Sequence, residues 1–82
     1  MEKTDNKPIE FSEREIQIIQ RAAQGYSNRQ ISKMLNYSYH TVRADVRRII
    51  EKSGAKNRIN AVYILTIKGY VKYSLLSKEN AN

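Results

Sequence analysis

Residues 27–50 decide the fold of this chain, and they read SNRQISKMLNYSYHTVRADVRRII. Ser27 and Gln30 have the spacing of a capping box, which predicts that a helix begins immediately after Ser27. Asn36 tolerates a left-handed backbone, so we expect the chain to turn there without a glycine. Ser38 is then placed to cap another helix. The stretch therefore predicts two helices joined by a sharp turn.

The second helix of this pair, predicted over about residues 39–53, has two different faces. Apolar side chains recur at helical spacing on the side expected to face a core: Val42, Val46, Ile49 and Ile50. The opposite face carries His40, Arg43, Ala44, Arg47 and Glu51. Two arginines one turn apart, with a small alanine between them, suit the guanine edges and phosphates of a DNA major groove. The alternative is a basic face that is merely solvated, which the paired caps and the short turn disfavour.

Two further helices are predicted to flank this pair. Ser12 and Glu15 form another capping box, which starts a helix that should end at Gly25. Its inner face is predicted to carry Ile16, Ile19, Ala22 and Ala23. Asn57 is placed to cap a fourth helix over about residues 58–68, with Gly69 ending it. We therefore expect an all-α fold, a four-helix bundle-like domain with a central helix-turn-helix.

The predicted domain occupies residues 11–71 of the 82 in the chain. Residues 1–10 contain Pro8 and scattered charges without a periodic apolar face, which is typical of a flexible N-terminal tail. Residues 72–82 form a C-terminal extension. The form of the apolar segment that begins at Tyr70 is left open by its pattern.

Charge is concentrated in the helix-turn-helix half of the chain. The net charge is +7, and residues 27–58 hold eight basic residues against the two acidic residues Asp45 and Glu51. Such a patch attracts nucleic acid. No segment is expected to cross a bilayer, because the longest apolar run, residues 61–65, is far shorter than the roughly 20 residues required. A membrane surface is not an expected partner either, because the basic helix keeps its apolar side for the core and has no exposed apolar stripe to insert. We expect a cytoplasmic, nucleoid-associated protein.

Enzymatic chemistry has little support in this sequence. The chain has no cysteine, and its single histidine, His40, has no paired carboxylates at metal-ligand spacing. The three glycines do not form a phosphate-binding loop. We therefore expect no catalytic residue, no metal, no cofactor and no small-molecule ligand.

Several motifs, taken together in order and spacing, resemble one known family. They are residues 11–15 (FSERE), 25–31 (GYSNRQI), Ser38, 41–43 (TVR), 57–58 (NR), Ala61 and 69–71 (GYV). This set resembles the LuxR-type helix-turn-helix domain, which is found in GerE and at the carboxyl end of NarL- and FixJ-like response regulators. The resemblance implies a four-helix DNA-binding domain that dimerises through its last helix and regulates bacterial transcription. With no receiver domain before the motif, the chain is expected to be a freestanding GerE-like regulator.

The resemblance also implies roles for individual residues. Asn28, Arg29 and Thr41 would contact phosphates, and Arg43, Ala44 and Arg47 would contact base edges. To the base contacts we add His40, and to the phosphate contacts we add Tyr39 and Arg48, all on the basic helix. Asp45 departs from the family, which usually has histidine there. A carboxylate near phosphates repels DNA unless it is paired, and Arg48 is placed to pair it at i+3.

The fourth helix predicts a second interface. Ile59, Tyr63 and Ile67 recur every four residues and form a stripe separate from the side of Ala61 and Leu65 that the core requires. We expect this stripe to join two copies into a homodimer on an inverted repeat. The alternative is that residues 70–76 fold back and cover the stripe within one chain.

A rival function also follows from the helix-turn-helix surface. The same surface could serve a protein-interaction module that binds RNA polymerase or another regulator. The basic character of the second helix favours double-stranded DNA, because acidic residues would have been expected on a surface of the rival kind.

Overall fold

The structure is a computed structural model, and it describes residues 8–71. It contains four α-helices: α1 (Glu13–Ala23), α2 (Asn28–Leu35), α3 (Tyr39–Ser53) and α4 (Arg58–Ile67). No strand occurs within residues 8–71, so the all-α prediction is confirmed. The predicted extension over residues 72–82 and the first seven residues of the predicted tail lie outside the described residues.

The helix starts are those that the capping residues predict. Glu15 donates its backbone N–H to the Ser12 hydroxyl at 3.1 Å, and its carboxylate accepts the Ser12 N–H at 2.8 Å. Ser27 and Gln30 repeat this reciprocal pair at the start of α2. These bonds satisfy N–H groups that a helix leaves without partners at its first turn. Each helix start is therefore fixed by residues within four positions of it.

Two backbone reversals hold the helix-turn-helix in place. Gly25, with φ 101°, closes α1 in a conformation that side chains disfavour. Tyr26 then donates its N–H to the Arg21 carbonyl at 3.2 Å, which is one bond of a Schellman motif. Asn36, with φ 62°, makes the left-handed turn between α2 and α3 as predicted. Both connections are short, so α1, α2 and α3 pack at fixed angles.

The core draws on all four helices and on the segment after α4. Its buried apolar members are Ile18, Ile19, Ile31, Val42, Val46, Ile49, Ala61, Leu65 and Val71. Ile50, predicted to face the core, is half-buried and packs against this cluster. Burying these side chains is the main favourable contribution to folding, at about 1.5–3 kcal/mol for each large one.

The predicted inner face of α1 is wrong at one position. Ile16 is 38% exposed, whereas Ile18, which was not predicted to be inside, is fully buried. The reason is that Glu15 is buried at 3% exposure, so the inner face of α1 runs through Glu15, Ile18 and Ile19. Ile16 lies about 100° further around the helix than Glu15. The buried face of α1 thus includes a glutamate, which the spacing of the isoleucines alone does not indicate.

The segments before α1 and after α4 contact each other. Ile9 donates its backbone N–H to the Tyr70 hydroxyl at 2.6 Å. The rings of Phe11 and Tyr70 meet edge to face with their centroids 5.4 Å apart. Val71 is 4% exposed. The described part of the segment that the sequence left open therefore packs beside the N-terminal segment and into the core.

Candidate nucleic-acid interface

The outward face of α3 forms a shallow depression of about 230 Å³, which we call the α3 groove. It is lined by His40, Arg43, Ala44, Arg47, Arg48 and Glu51. The structure thus brings together all four predicted base-contacting residues. Arg43 and Arg47 are exposed, and neither forms an ion pair with any residue of the described range 8–71. Their guanidinium groups are therefore available for an external partner.

A second depression, the α2 recess, lies where α2 begins. It is lined by Ser27, Asn28, Arg29, Tyr39 and Arg58. The Arg29 guanidinium lies 4.5 Å from the centroid of the Tyr39 ring, a cation–π contact that joins α2 to the first turn of α3. Three of the five predicted phosphate contacts, Asn28, Arg29 and Tyr39, therefore lie together at the positive end of the α2 dipole.

Arg58 organises the α2 recess, and the residue-by-residue predictions gave it no role. It donates from Nε to the Asn28 side-chain oxygen at 3.1 Å and from Nη2 to the Tyr26 carbonyl at 2.5 Å. Burial lowers the pKa of its guanidinium. Because Arg58 occupies the oxygen of Asn28, the amide N–H groups of that side chain are left to donate elsewhere. An arginine directly after the cap Asn57 was the only sequence signal, and its partners are distant in the chain.

Thr41 and Arg48, the other predicted phosphate contacts, occupy different surroundings. Thr41 is half-buried in the first turn of α3, and its hydroxyl accepts a hydrogen bond from the Ser38 hydroxyl at 2.9 Å. Arg48 lines the α3 groove and is half exposed, but it is also bonded to Asp45. The predicted phosphate contacts are therefore divided between the α2 recess, the start of α3 and the α3 groove.

Asp45 is on α3 but does not line the α3 groove, and it is only 1% exposed. Arg48 Nη2 donates to its Oδ1 at 2.8 Å, the pairing that the i+3 spacing suggested. Arg14 on α1 contributes two more bonds, 2.5 Å from Nε to Oδ2 and 3.2 Å from Nη2 to Oδ1. Burial alone would raise the pKa of Asp45, but the hydrogen bonds from both arginines outweigh it and lower the pKa below its usual value. The sequence did not predict the Arg14 contact, which spans 31 positions.

Glu15 is the second buried carboxylate between α1 and α3. Lys52 Nζ donates to its Oε1 at 2.8 Å, and Arg48 Nε lies 3.5 Å from its Oε2. Burial opposes ionisation of Glu15, but the hydrogen bonds from Lys52 and from the Ser12 backbone lower its pKa. Glu15 was predicted only as a cap. It also belongs to an ion-pair cluster that fastens α1 to α3.

The exposed face of α4 is apolar. Ile59 is 79% exposed, Tyr63 is 64% exposed and Ile67 is 69% exposed. Ala61 and Leu65, on the other side of α4, are buried in the core. The predicted stripe is therefore present at the surface, and we call it the α4 stripe.

Within residues 8–71, no group of three histidine, cysteine or acidic side chains could hold a metal ion. No helix in that range is long and apolar enough to cross a membrane.

The chain is similar to known proteins over most of the described range. Residues 10–65 match the GerE family model, described as bacterial regulatory proteins of the luxR family. Over 54 residues the chain is 36% identical to the nitrate/nitrite response regulator protein NarP of Escherichia coli, covering 66% of this chain and 25% of that protein. Over 62 residues it is 36% identical to the uncharacterized transcriptional regulatory protein YxjL of Bacillus subtilis, covering 76% of this chain and 28% of the relative.

A third relative extends the match further along the chain. The transcriptional activator protein PhzR of Pseudomonas fluorescens is 35% identical over 66 residues, which are 80% of this chain and 27% of PhzR. The chain thus spans about a quarter of the length of each of these relatives.

Proposed function

The chain belongs to the luxR family of bacterial regulatory proteins, and we propose that it regulates transcription by binding specific sequences of double-stranded DNA. The observation that carries the proposal is the α3 groove, in which Arg43 and Arg47 are exposed on a helix whose other side is buried. An α-helix fits the width of the DNA major groove, and the exposed face of α3 is the side that can enter it. The protein would act at the nucleoid of a bacterial cell.

Base reading is assigned to four residues on α3. Arg43 and Arg47 lie one helical turn apart, and each can donate two hydrogen bonds to the O6 and N7 atoms of a guanine. Ala44 is small enough to let the helix backbone approach the bases and can contact a thymine methyl group. His40, exposed at the start of the helix, completes the set. These contacts would give the protein its sequence preference.

Phosphate binding is assigned to residues around the starts of α2 and α3. In the α2 recess, Arg29 presents a guanidinium against Tyr39, and Asn28 has amide N–H groups to donate. The hydroxyl groups of Tyr39 and Thr41 and the guanidinium of Arg48 complete the proposed contacts. Phosphate contacts fix the register of a protein on the duplex without reading its sequence. They would hold α3 at a fixed depth in the groove.

Dimer formation on DNA is assigned to the α4 stripe. Three large apolar side chains that are each more than 60% exposed favour an apolar partner. A second copy joined through a two-fold axis would place two α3 helices in successive major grooves, with half-site centres roughly 10 bp apart. The operator is therefore proposed to be an inverted repeat.

Selection of bound duplexes from a random pool tests this function. The expected result is enrichment of an inverted repeat with half-sites about one helical turn apart. A matched selection with Arg43→Ala should lose preference at one position in each half-site. A pool in which no sequence is enriched would contradict the proposal and would favour the rival function, binding of RNA polymerase or another regulator.

A further inference from the structure

We propose that Asp45 is a positioning residue for DNA reading, because it holds the Arg48 guanidinium at the edge of the α3 groove. The inference rests on the proposed function, since it treats Arg48 as a DNA contact. Asp45 lies on the reading helix between Ala44 and Val46 but is only 1% exposed, so it does not present its carboxylate to DNA. Any effect of Asp45 on DNA binding must pass through the side chains that it binds.

Arg48 is held by two carboxylates from different helices. Its Nη2 lies 2.8 Å from Asp45 on α3, and its Nε lies 3.5 Å from Glu15 on α1. These two contacts use one side of the guanidinium and leave the N–H groups of Nη1 for another acceptor. The side chain is still 50% exposed and lines the α3 groove. Arg48 is therefore fixed in place without being withdrawn from the surface.

Arg14 makes the Asp45 anchor rigid. Its two hydrogen bonds reach both oxygens of the carboxylate, so Asp45 is fastened to α1 as well as to its own helix. The Arg14 guanidinium also lies 5.6 Å from the centroid of the Tyr37 ring, in the turn that leads to α3. The position of the Arg48 guanidinium is thus set by contacts that involve two packed helices. It is not left to the free rotation of the Arg48 side chain.

A fixed arginine and a free one should act differently on specific and random DNA. A guanidinium that is already in place loses little conformational freedom when a phosphate arrives at the matching position, which favours the correct register. On random DNA the register varies, so a mobile cation serves as well as a fixed one. Removing the Asp45 charge would release both Arg14 and Arg48 and raise the net charge by one. The ratio of specific to random affinity should then fall.

Asp45→Asn tests the inference on the full chain with two duplexes, the selected site and a random sequence. The ratio of the two affinities is expected to fall about tenfold, the factor for one charged hydrogen bond. Affinity for the random duplex should rise at low salt, and the released Arg14 should add one phosphate contact, which steepens the log–log salt slope by about 0.9. If both duplexes are bound more weakly by the same factor, with the slope unchanged, Asp45 is purely structural and the inference is overturned.

Substitutions at Arg48 show whether Asp45 acts through it. In an Arg48→Gln background, Asp45→Asn should no longer lower the affinity ratio, because the two residues form one unit. Arg48→Lys keeps the charge but lacks the planar fork that reaches both carboxylates, so it should lower the ratio about as much as Asp45→Asn does. If circular dichroism shows that the Asp45→Asn variant is unfolded, the Arg48→Lys variant is used as the test in its place. If the affinity ratio of the Arg48→Lys variant equals that of the parent, the inference is contradicted.

Arg14→Gln is the matched control on the same carboxylate. It removes a charge and two bonds from Asp45 but leaves the Asp45–Arg48 bond, so the affinity ratio should fall by much less than in Asp45→Asn. A loss as large as that of Asp45→Asn overturns the inference. Failure of the proposed function looks different, because the parent protein itself would then select no duplex. If the parent selects a site and Arg43→Ala lowers the ratio while Asp45→Asn does not, only the present inference fails.

Discussion

The outward faces of α3 and α4 are both exposed, but their chemistry is opposite. The α3 groove carries two exposed arginines, neither ion-paired within residues 8–71, and a histidine, whereas the α4 stripe carries two isoleucines and a tyrosine. The inner sides of the same helices are alike, because both bury aliphatic side chains in one core. The difference therefore arises on the surface, where the core places no demand on residue type.

This contrast separates the two proposed partners. A basic face is well hydrated in water, and it gains the most binding free energy from a polyanion, because binding releases the counterions of that polyanion. An exposed apolar stripe is unfavourable in water and gains most from an apolar cover. Substitutions on α3 should therefore change DNA binding itself, and substitutions on α4 should change how many copies bind together.

The largest effect is expected from Tyr63→Glu on the α4 stripe. A dimer interface would bury the new carboxylate without a partner, which is strongly unfavourable. Cooperative binding to the two half-sites should be abolished, while circular dichroism should show the helical content of the parent. Gel-shift titration on a full operator and on a single half-site measures both properties.

Tyr63→Phe is the matched control at this position. It keeps the apolar ring and removes only the hydroxyl, so cooperative binding should be retained. Binding of the Tyr63→Glu variant to both half-sites as tightly as the parent would show that the α4 stripe is not the dimer contact.

The next largest effects are expected in the α3 groove. Arg43→Ala and Arg47→Ala should each weaken binding to the selected site by about 1–3 kcal/mol and relax the base preference at one position. Arg29→Ala, in the α2 recess, should weaken binding to all duplexes by a similar factor. Equal losses on selected and random duplexes for all three variants would mean that α3 contacts only the DNA backbone.

The charges paired between α1 and α3 should also affect stability, and the pH dependence of unfolding measures that contribution. The pKa values of Asp45 and Glu15 are lower in the folded protein than in the unfolded chain. Their contribution is therefore present above the unfolded pKa of about 4 and is lost as the pH falls through the folded pKa.

Urea unfolding measures this pH dependence. The free energy of unfolding should decrease between pH 6 and pH 3, and it should decrease less steeply in Glu15→Gln than in the parent. The same pH profile in both proteins would argue against a stabilising role for this carboxylate.

The smallest effect is expected from polar substitution on the α4 stripe. Ile67→Gln changes a side chain that is 69% exposed, so the stability of the dilute monomer should change by no more than about 0.5 kcal/mol. Cooperativity on DNA should nevertheless decrease. A large loss of monomer stability would mean that Ile67 is covered within its own chain.

Local signals in the sequence predicted most of this fold. The caps Ser12, Ser27, Ser38 and Asn57 and the turn at Asn36 all act within four residues, so their geometry can be inferred from spacing alone. The exposed α4 stripe was predicted for the same reason, since one helical period defines it. Contacts between distant positions left no such signal.

The clearest examples of this limit lie between α1 and α3. Arg14 and Asp45 are 31 positions apart, and Lys52 and Glu15 are 37 positions apart. Nothing in the local pattern indicates that Glu15 is buried, and this is also why Ile16 was predicted to lie inside and Ile18 was missed. Buried ion pairs between helices depend on the packing angle, which residue spacing does not specify.

Titration of the parent protein with a random duplex at increasing salt tests the central claim most directly. If the α3 groove and the α2 recess bind phosphates, the logarithm of the affinity should fall linearly with the logarithm of the salt concentration. The slope should be about −0.9 for each phosphate neutralised, so several contacts give a steep line. An affinity that is unchanged between low and moderate salt would contradict DNA binding by this surface.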